Sequence, residues 1–196
     1  MSILKKVGVI NMIPNCFTGN LYSVKKGESV TSIAEKFNVS LASLLQQNPH
    51  IHDSSHIATD QVICIPTKGI RLPCTIPLHP AKNSKTTAKG RSVIRKIWIP
   101  YRESISIHIQ ASHLPNFSKF GDYDGFEGFA QVPYLISWRF RLYPTYYQNL
   151  LVWSGGFDYI GGALTPETKV QVRLSNSRLD KLGPIILENT LNHCKI

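Results

Sequence analysis

Carboxylate side chains are the first residues in this sequence that could do chemistry, and two of them are spaced in the manner of metal ligands. Asp122 and Asp124 flank Tyr123 ahead of Gly125, a pattern with a distant likeness to a calcium loop. The downstream glutamate that such a loop requires is missing. Because Asp and Gly are ordinary residues of hairpin turns, we favour a turn-stabilising role for both aspartates.

A pair of carboxylates is also what a glycosidase needs, one as general acid and the other as nucleophile or base. Four candidates are scattered over predicted strand ends and turns: Glu103, Glu127, Asp158 and Glu167. No spacing pairs two of them, so we predict no catalytic residue and a non-enzymatic protein. A hydrolase with its activity in the C-terminal half stays open as an alternative.

Histidine and cysteine spacings argue against a metal centre. His50, His52 and His56 are close enough in sequence to share a metal ion, but a fourth ligand or a supporting cysteine pair is missing. The four cysteines have no C-x-x-C spacing, which argues against a zinc site or a thioredoxin-type motif: Cys16, Cys64, Cys74 and Cys194. We therefore expect no metal and no cofactor.

The elements that must position these residues begin with a short unit between Tyr22 and Pro66. Tyr22 and Val24 alternate as a half-buried strand requires, and Ser29 is a good helix N-cap after the break at Gly27. Helical spacing follows at Val30, Ile33, Ala34 and Phe37, and again at Leu41, Leu44 and Leu45. Asn48-Pro49 ends the second helix, and Val62 to Pro66 reads as a buried strand. The predicted order is βααβ.

This segment resembles the LysM carbohydrate-binding module. The pattern Y-x-V, G-[DE]-[ST], I-A-x-[KR]-[FY], N-P and Q-x-I-x-I-P is matched at fixed spacing over about a quarter of the chain. One departure is Thr59-Asp60-Gln61, where the family usually has a glycine just before the glutamine. The turn there is expected to change while the binding groove is kept.

The resemblance implies binding of N-acetylglucosamine polymers, either peptidoglycan or chitin, between two loops. One loop carries Gly27, Glu28, Ser29 and Val30, and the other carries Asn48, Pro49, His50 and Ile51. Backbone groups in such loops can bind acetamido groups while apolar side chains cover sugar faces. The alternative, that these residues only hold the loops in shape, stays open.

The family's fold also bears on the cysteines, because its two strands pair. Cys16 lies just before the first strand and Cys64 lies in the second, so a disulfide between them would tie the N-terminal arm to the module; buried or free thiols are the alternative. Cys74 and Cys194 would then stay available for links between chains.

Charge divides the rest of the chain. The net charge is +10, and residues 67 to 100 hold eight basic and no acidic residues. We therefore predict an arm over 1–21, a LysM module over 22–66, a basic linker over 67–91 and a further domain over 92–196. The linker is either a plain tether or an adhesive for an anionic polymer such as cell-wall phosphate. Nucleic acid is the least favoured partner, because no aromatic residues are interleaved with the cations.

The C-terminal half alternates in the manner of antiparallel strands, most clearly at Ile105, Ile107 and Ile109. Seven or eight short strands are predicted, including separate strands on either side of Gly155-Gly156. They indicate a β-sandwich. Together with the two helices of the LysM module, this makes the expected fold class α+β.

Three features bear on location and assembly. The N-terminal apolar stretch is too short and polar for a signal peptide, and no apolar run reaches the about 20 residues of a membrane helix. The arrangement from Cys16 to Tyr22 is similar to LysM proteins of spore-forming Firmicutes, several of which reach the spore from the mother-cell cytoplasm. We therefore expect a spore-surface or cell-wall protein.

The leading hypothesis is a non-enzymatic anchor in which LysM binds peptidoglycan and the C-terminal domain faces outward. One alternative is a structural subunit of a surface fibre or phage-like baseplate, with the arm Ser2 to Pro14 donating a strand to a neighbouring copy or another surface-layer protein. An arm that folds back on its own domain is equally open. The other alternative is a peptidoglycan hydrolase.

Overall fold

A computed structural model describes Cys16 and residues 19–53, 57–82, 84–100, 102–161 and 163–195. The chain forms two compact units, Met1–Thr67 and Lys68–Ile196. Most of the predicted N-terminal arm, including the strand-donating segment Ser2 to Pro14, lies outside the described residues.

The first unit has the predicted βααβ order. Its elements are β1 (Gly19–Ser23), α1 (Val30–Lys36), α2 (Leu41–Gln47) and β2 (Val62–Pro66). The two strands form an antiparallel two-stranded sheet with Tyr22 opposite Ile63. Each helix has only seven residues, too few to be stable by itself, so burial of its apolar side holds it in place.

Two serines begin the helices, as the sequence predicts. The Ser29 hydroxyl accepts a hydrogen bond from the Ser32 N–H, and the Ser32 hydroxyl accepts one from the Ser29 N–H, which completes a capping box. The Ser40 hydroxyl accepts from the Ser43 N–H at 3.1 Å. These bonds satisfy N–H groups that have no partner inside a helix.

The second unit is a closed antiparallel barrel, so the predicted sandwich is wrong. Its strands are β3 (Cys74–Pro80), β4 (Lys89–Ile99), β5 (Arg102–Ser112), β6 (Gly125–Val132), β7 (Ile136–Tyr147), β8 (Leu150–Ile160), β9 (Lys169–Asn176) and β10 (Lys181–Thr190). Around the barrel the order is β10-β3-β4-β5-β8-β7-β6-β9. Alternation along a strand is the same in a sandwich and a barrel, so it could not separate them.

The predicted linker over 67–91 is also wrong, and this error explains the first. β3 lies inside that segment and β4 begins within it at Lys89. β3 pairs with β4 on one side and with β10 on the other, so it closes the sheet. Without β3, the remaining strands would form an open sheet with two unpaired edges.

β8 runs without interruption through Gly155 and Gly156, where the sequence predicted a break between two strands. A Cβ atom at Gly155 would come too close to the backbone oxygen of Arg141, and one at Gly156 would lie 2.5 Å from Nδ1 of His108. Gly155 therefore needs the absence of a side chain because backbone crowds it, and a side chain at Gly156 would displace the His108 ring, so neither glycine marks a turn.

The barrel interior is filled by apolar side chains from every strand, including Ile94, Ile107, Phe126, Leu142 and Val172. Phe126 and Trp153 meet edge to face with ring centroids 5.0 Å apart. The interior is thus a packed core.

Cys74 and Cys194 form a disulfide within the chain, with Cα atoms 5.9 Å apart. They are therefore not the interchain cysteines that the sequence analysis expected. The bond ties the first residue of β3 to the short 3₁₀ turn Leu191–Cys194 that follows β10. None of the helices in the described ranges is long and apolar enough to cross a membrane.

Candidate functional site

The two predicted sugar-binding loops lie where the sequence placed them, between β1 and α1 and after α2. Their residues fall into two groups. Some side chains are buried or hydrogen-bonded within the unit and shape the loops, and others are open to solvent and able to touch a ligand.

Asn48 belongs to the first group, because its side chain is completely buried. Its Nδ2 donates to the backbone oxygens of Leu44 at 2.7 Å and Cys64 at 2.6 Å, and its Oδ1 accepts from the Cys64 N–H at 2.7 Å. The amide thus binds β2 in the way a third strand would. This residue fixes the start of the second loop rather than presenting its side chain to a sugar.

Glu28 likewise holds the first loop. Its carboxylate accepts hydrogen bonds from the Tyr22 hydroxyl, from the Lys25 N–H at 2.8 Å and from Lys36 Nζ at 2.7 Å. Lys36 Nζ also donates to the Tyr22 hydroxyl at 2.7 Å and lies 4.9 Å from the centroid of the Tyr22 ring. Phe37 packs edge to face on the same ring.

Three pKa shifts follow from this cluster. Burial raises the pKa of Tyr22, and the Glu28 carboxylate adds to the rise while Lys36 opposes it. Burial alone would raise the pKa of Glu28, but hydrogen bonds from Lys36, Lys25 and Tyr22 outweigh it and hold the pKa below its usual range. Burial would lower the pKa of Lys36, but the bonds to Glu28 and Tyr22 raise it. The pair is therefore charged at neutral pH.

Val30 is fully buried as the first residue of α1, so the idea that its side chain covers a sugar face is wrong. A charge placed there would disrupt the core rather than test the groove. Ser29 is exposed, but its hydroxyl and N–H both serve the capping box.

Three of the predicted residues remain open to a ligand, namely Gly27, Pro49 and Ile51, whereas the ring Nε2 of His50 is buried. Gly27 adopts φ 85°, which favours glycine, and no atom lies within 4 Å of where its Cβ would be. Pro49 is exposed, His50 and Ile51 are half-buried, and the Ile51 N–H donates to the Asn48 oxygen at 2.9 Å. The second loop therefore presents a small apolar surface on a rigid turn.

The cysteine pair Cys16 and Cys64 is joined by a disulfide with Cα atoms 5.3 Å apart. Cys64 is fully buried and lies opposite Leu21 in the β1–β2 register. The centre of β2 is thus held by β1, by the Asn48 amide and by a covalent bond.

Three of the four carboxylates considered as glycosidase candidates pair with a basic side chain or histidine, and the fourth, Glu167, is exposed. Glu127 pairs with Arg139 at 2.9 Å, Glu103 with Lys96 at 2.9 Å, and Asp158 with His108 at 2.9 Å. Asp124 accepts hydrogen bonds from Ser177 and Arg141; the bond from the Ser177 hydroxyl has the largest part in keeping its pKa below the usual range. This arrangement fits the turn-stabilising role predicted for Asp124.

No group of three or more His, Cys, Asp or Glu side chains is placed to hold a metal ion among the residues described by the structure. His56 of the loop histidines lies outside those residues.

Lys36 is a residue of the site that was not predicted from the sequence. It occupies the [KR] position of the LysM pattern, next to the aromatic position of Phe37. That signal could have indicated an ion pair with the acidic residue of the first loop.

Comparisons with known proteins match both units. Residues 22–66 match the LysM domain family, and residues 70–195 match the family described as SPbeta prophage-derived uncharacterized protein YoqH. The YoqH protein of Bacillus subtilis (strain 168) is 43% identical over 132 residues, which cover 66% of this chain and 87% of that protein.

A putative L,D-transpeptidase, YkuD of the same organism, is 43% identical over 58 residues. These residues are 30% of this chain and 33% of that protein, and the likeness is confined to the LysM region. No solved structure matches the chain.

Proposed function

Because the chain belongs to the YoqH family and carries a LysM domain ahead of the part that matches that family, we propose that it is a non-enzymatic anchor. In this proposal LysM binds the N-acetylglucosamine strands of peptidoglycan and holds the barrel at a cell wall or spore surface. LysM domains bind glycans of this class in general, whereas the anchoring role is our inference.

The observation that carries the proposal is that each loop contains side chains that fix its shape and separate, exposed residues that can contact a ligand. Glu28 and Asn48 are locked by hydrogen bonds, so the exposed residues near them are held in one geometry. A rigid turn with apolar Pro49 and Ile51 can stack on sugar faces without a large ordering cost. The likeness to YkuD is confined to the LysM region, which supports LysM as a module that occurs beside different partner domains.

Sedimentation of the full chain with purified peptidoglycan tests the proposal. We expect Ile51→Glu to weaken binding about tenfold, or about 1.4 kcal/mol, because it puts a charge on the apolar loop surface. Leu21→Glu is the matched control: Leu21 is 48% exposed on β1, outside both loops, and its substitution should leave binding unchanged.

Two results would count against the proposal, the first against the anchor itself and the second against the loop as its binding surface. The first is failure of the unaltered chain to sediment with peptidoglycan or chitin while an unrelated LysM protein does so. The second is equal binding by the Ile51→Glu and unaltered chains, which would place any glycan contact elsewhere.

A further inference from the structure

The outer face of β4, β5, β8 and β7 has polar residues aligned straight across four strands. The register places Arg91 opposite Gln110, Gln110 opposite Ser154, and Ser154 opposite Tyr143. Their strand neighbours, among them Ile109 and Leu142, point into the core. The row therefore faces solvent.

One side of this face is a line of cations. Lys89, Arg91 and Arg95 alternate along the outward side of β4, and within the described ranges none has an acidic side chain within ion-pair distance. Arg91 donates from Nε at 3.0 Å and from Nη2 at 2.7 Å to the single oxygen Oε1 of Gln110. These bonds fix the guanidinium and leave its other N–H groups for a ligand.

The middle of the face is a shallow trough. It is lined by Arg91, Arg95, His108, Ser154 and the two glycines Gly155 and Gly156, and a second depression along the same strands shares Arg91 and Gln110 with it. His108 lies over Gly156, and its Nε2 is 2.9 Å from Asp158. Among the described residues, Asp158 forms its ion-pair contact with His108 and with neither arginine of the trough.

The far side of the trough carries an aromatic ring. Tyr143 on β7 is 65% exposed. Three strand spacings, about 14 Å along the sheet, separate β7 from the cations of β4. On β8, next to Tyr143, the trough is lined by the small residues Ser154, Gly155 and Gly156, which leave room for a ligand.

We propose that this face is a second binding surface and that its ligand is an anionic glycan. Guanidinium forks bind phosphate and carboxylate oxygens in pairs, and a tyrosine ring can lie against the apolar face of a sugar. The unpaired positive charge on β4 complements a negatively charged strand.

The distance between the cations of β4 and the Tyr143 ring on β7 favours a glycan over nucleic acid. A base and its own phosphate are too close together to reach Tyr143 and Arg91 at once, and single-strand binding surfaces interleave aromatic residues with cations. A sugar chain laid across the trough spans both sides.

The inference rests on the proposed anchoring role in one respect. LysM bound to peptidoglycan would bring the barrel close to anionic groups on the same wall, so a weak second contact would add to overall affinity.

The test measures binding of the full chain to intact Gram-positive cell walls and to the same walls stripped of phosphodiester polymers with hydrofluoric acid. The variant Arg91→Gln with Arg95→Gln should bind intact walls about tenfold more weakly. With two fewer cations on the protein, fewer counterions are released from the polymer on binding. Tyr143→Ala should also weaken this binding. Arg178→Gln with Lys181→Gln, at the exposed turn between β9 and β10, removes the same charge and should have little effect.

The two wall preparations separate the sources of negative charge. If the unaltered chain and the arginine double variant bind stripped walls equally, the ligand is a phosphate-bearing polymer. If the double variant still binds stripped walls more weakly, the ligand is the carboxylates of peptidoglycan. The proposal is overturned if the two double variants behave alike, or if duplex or single-stranded DNA competes more strongly than walls for the arginine face. Failure of the LysM anchor appears separately, as loss of binding by the unaltered chain to stripped walls.

Discussion

Lys36 is the residue on which the first loop depends, since its ammonium group contacts both Glu28 and Tyr22 at 2.7 Å. Side-chain exposures of 23% for Lys36 and 17% for Glu28 give the pair partial shelter from water. An exposed ion pair contributes little to stability, but this one adds three hydrogen bonds to one carboxylate. The main effect of the Lys36–Glu28 pair is therefore to fix the conformation of the first loop, and its contribution to total stability is smaller.

The lowered pKa of Glu28 predicts the sign of a pH effect. A carboxyl whose pKa is lower in the folded state stabilises the fold at neutral pH. This contribution is lost as the pH falls from the ordinary carboxyl range through the lowered pKa. We expect the first unit to lose stability with acid, and Glu28→Gln to make that dependence shallower.

Helical circular dichroism during urea unfolding at a series of pH values measures this effect, because the two α-helices of the described residues belong to the first unit. Glu35→Gln, at an exposed carboxylate on α1, is the control. An unchanged pH profile for Glu28→Gln would contradict the role given to the ion pair.

At the scale of elements, Asn48 joins α2 to β2. We predict that Asn48→Ala lowers the free energy of unfolding of the first unit by about 3 kcal/mol, because it leaves the buried N–H and C=O of Cys64 without partners. Gln46→Ala, an exposed position on the same helix, should cost much less. Urea titration followed by helical circular dichroism compares the two, and equal losses would refute the bridging role.

The first unit could be predicted from sequence because its signals are local. Ser29 and Ser40 begin the helices, Asn48-Pro49 ends the second, and the period changes from two to about 3.6 between strand and helix. The site was predicted less well. A pattern places Val30 and Asn48 in loops, but only packing reveals that both side chains are buried.

The barrel could not be predicted because its closure depends on distant pairings. β3 contains Pro77 and Pro80 and lies among basic residues, which together read as a linker. It tolerates proline because it pairs with β10 at only two positions, Pro80 opposite Leu187 and His79 opposite Glu188. Sequence separation of more than a hundred residues hides that contact from any local pattern.

At the scale of the whole molecule, one covalent bond spans most of the barrel. Cys74 and Cys194 are 120 residues apart in sequence, and closing so long a loop is expected to stabilise the fold by about 4 kcal/mol. We predict that Cys74→Ser with Cys194→Ser lowers the free energy of unfolding of the barrel by about this amount.

Tryptophan fluorescence during denaturation reports on the barrel alone, because Trp98, Trp138 and Trp153 all lie in the second unit. The double variant Cys16→Ser with Cys64→Ser should leave that signal unchanged. A barrel equally stable with and without the Cys74–Cys194 bond would show that the unfolded chain gains no freedom from its removal.

The same bond decides how the molecule would carry tension. If LysM holds the wall and a load pulls on the chain beyond Cys194, force enters the barrel at its first strand and leaves through the disulfide. The strands enclosed by the bond, from β3 to β10, would then stay outside the load path. Under reducing conditions the whole barrel would instead stand in series with the load and could be pulled open.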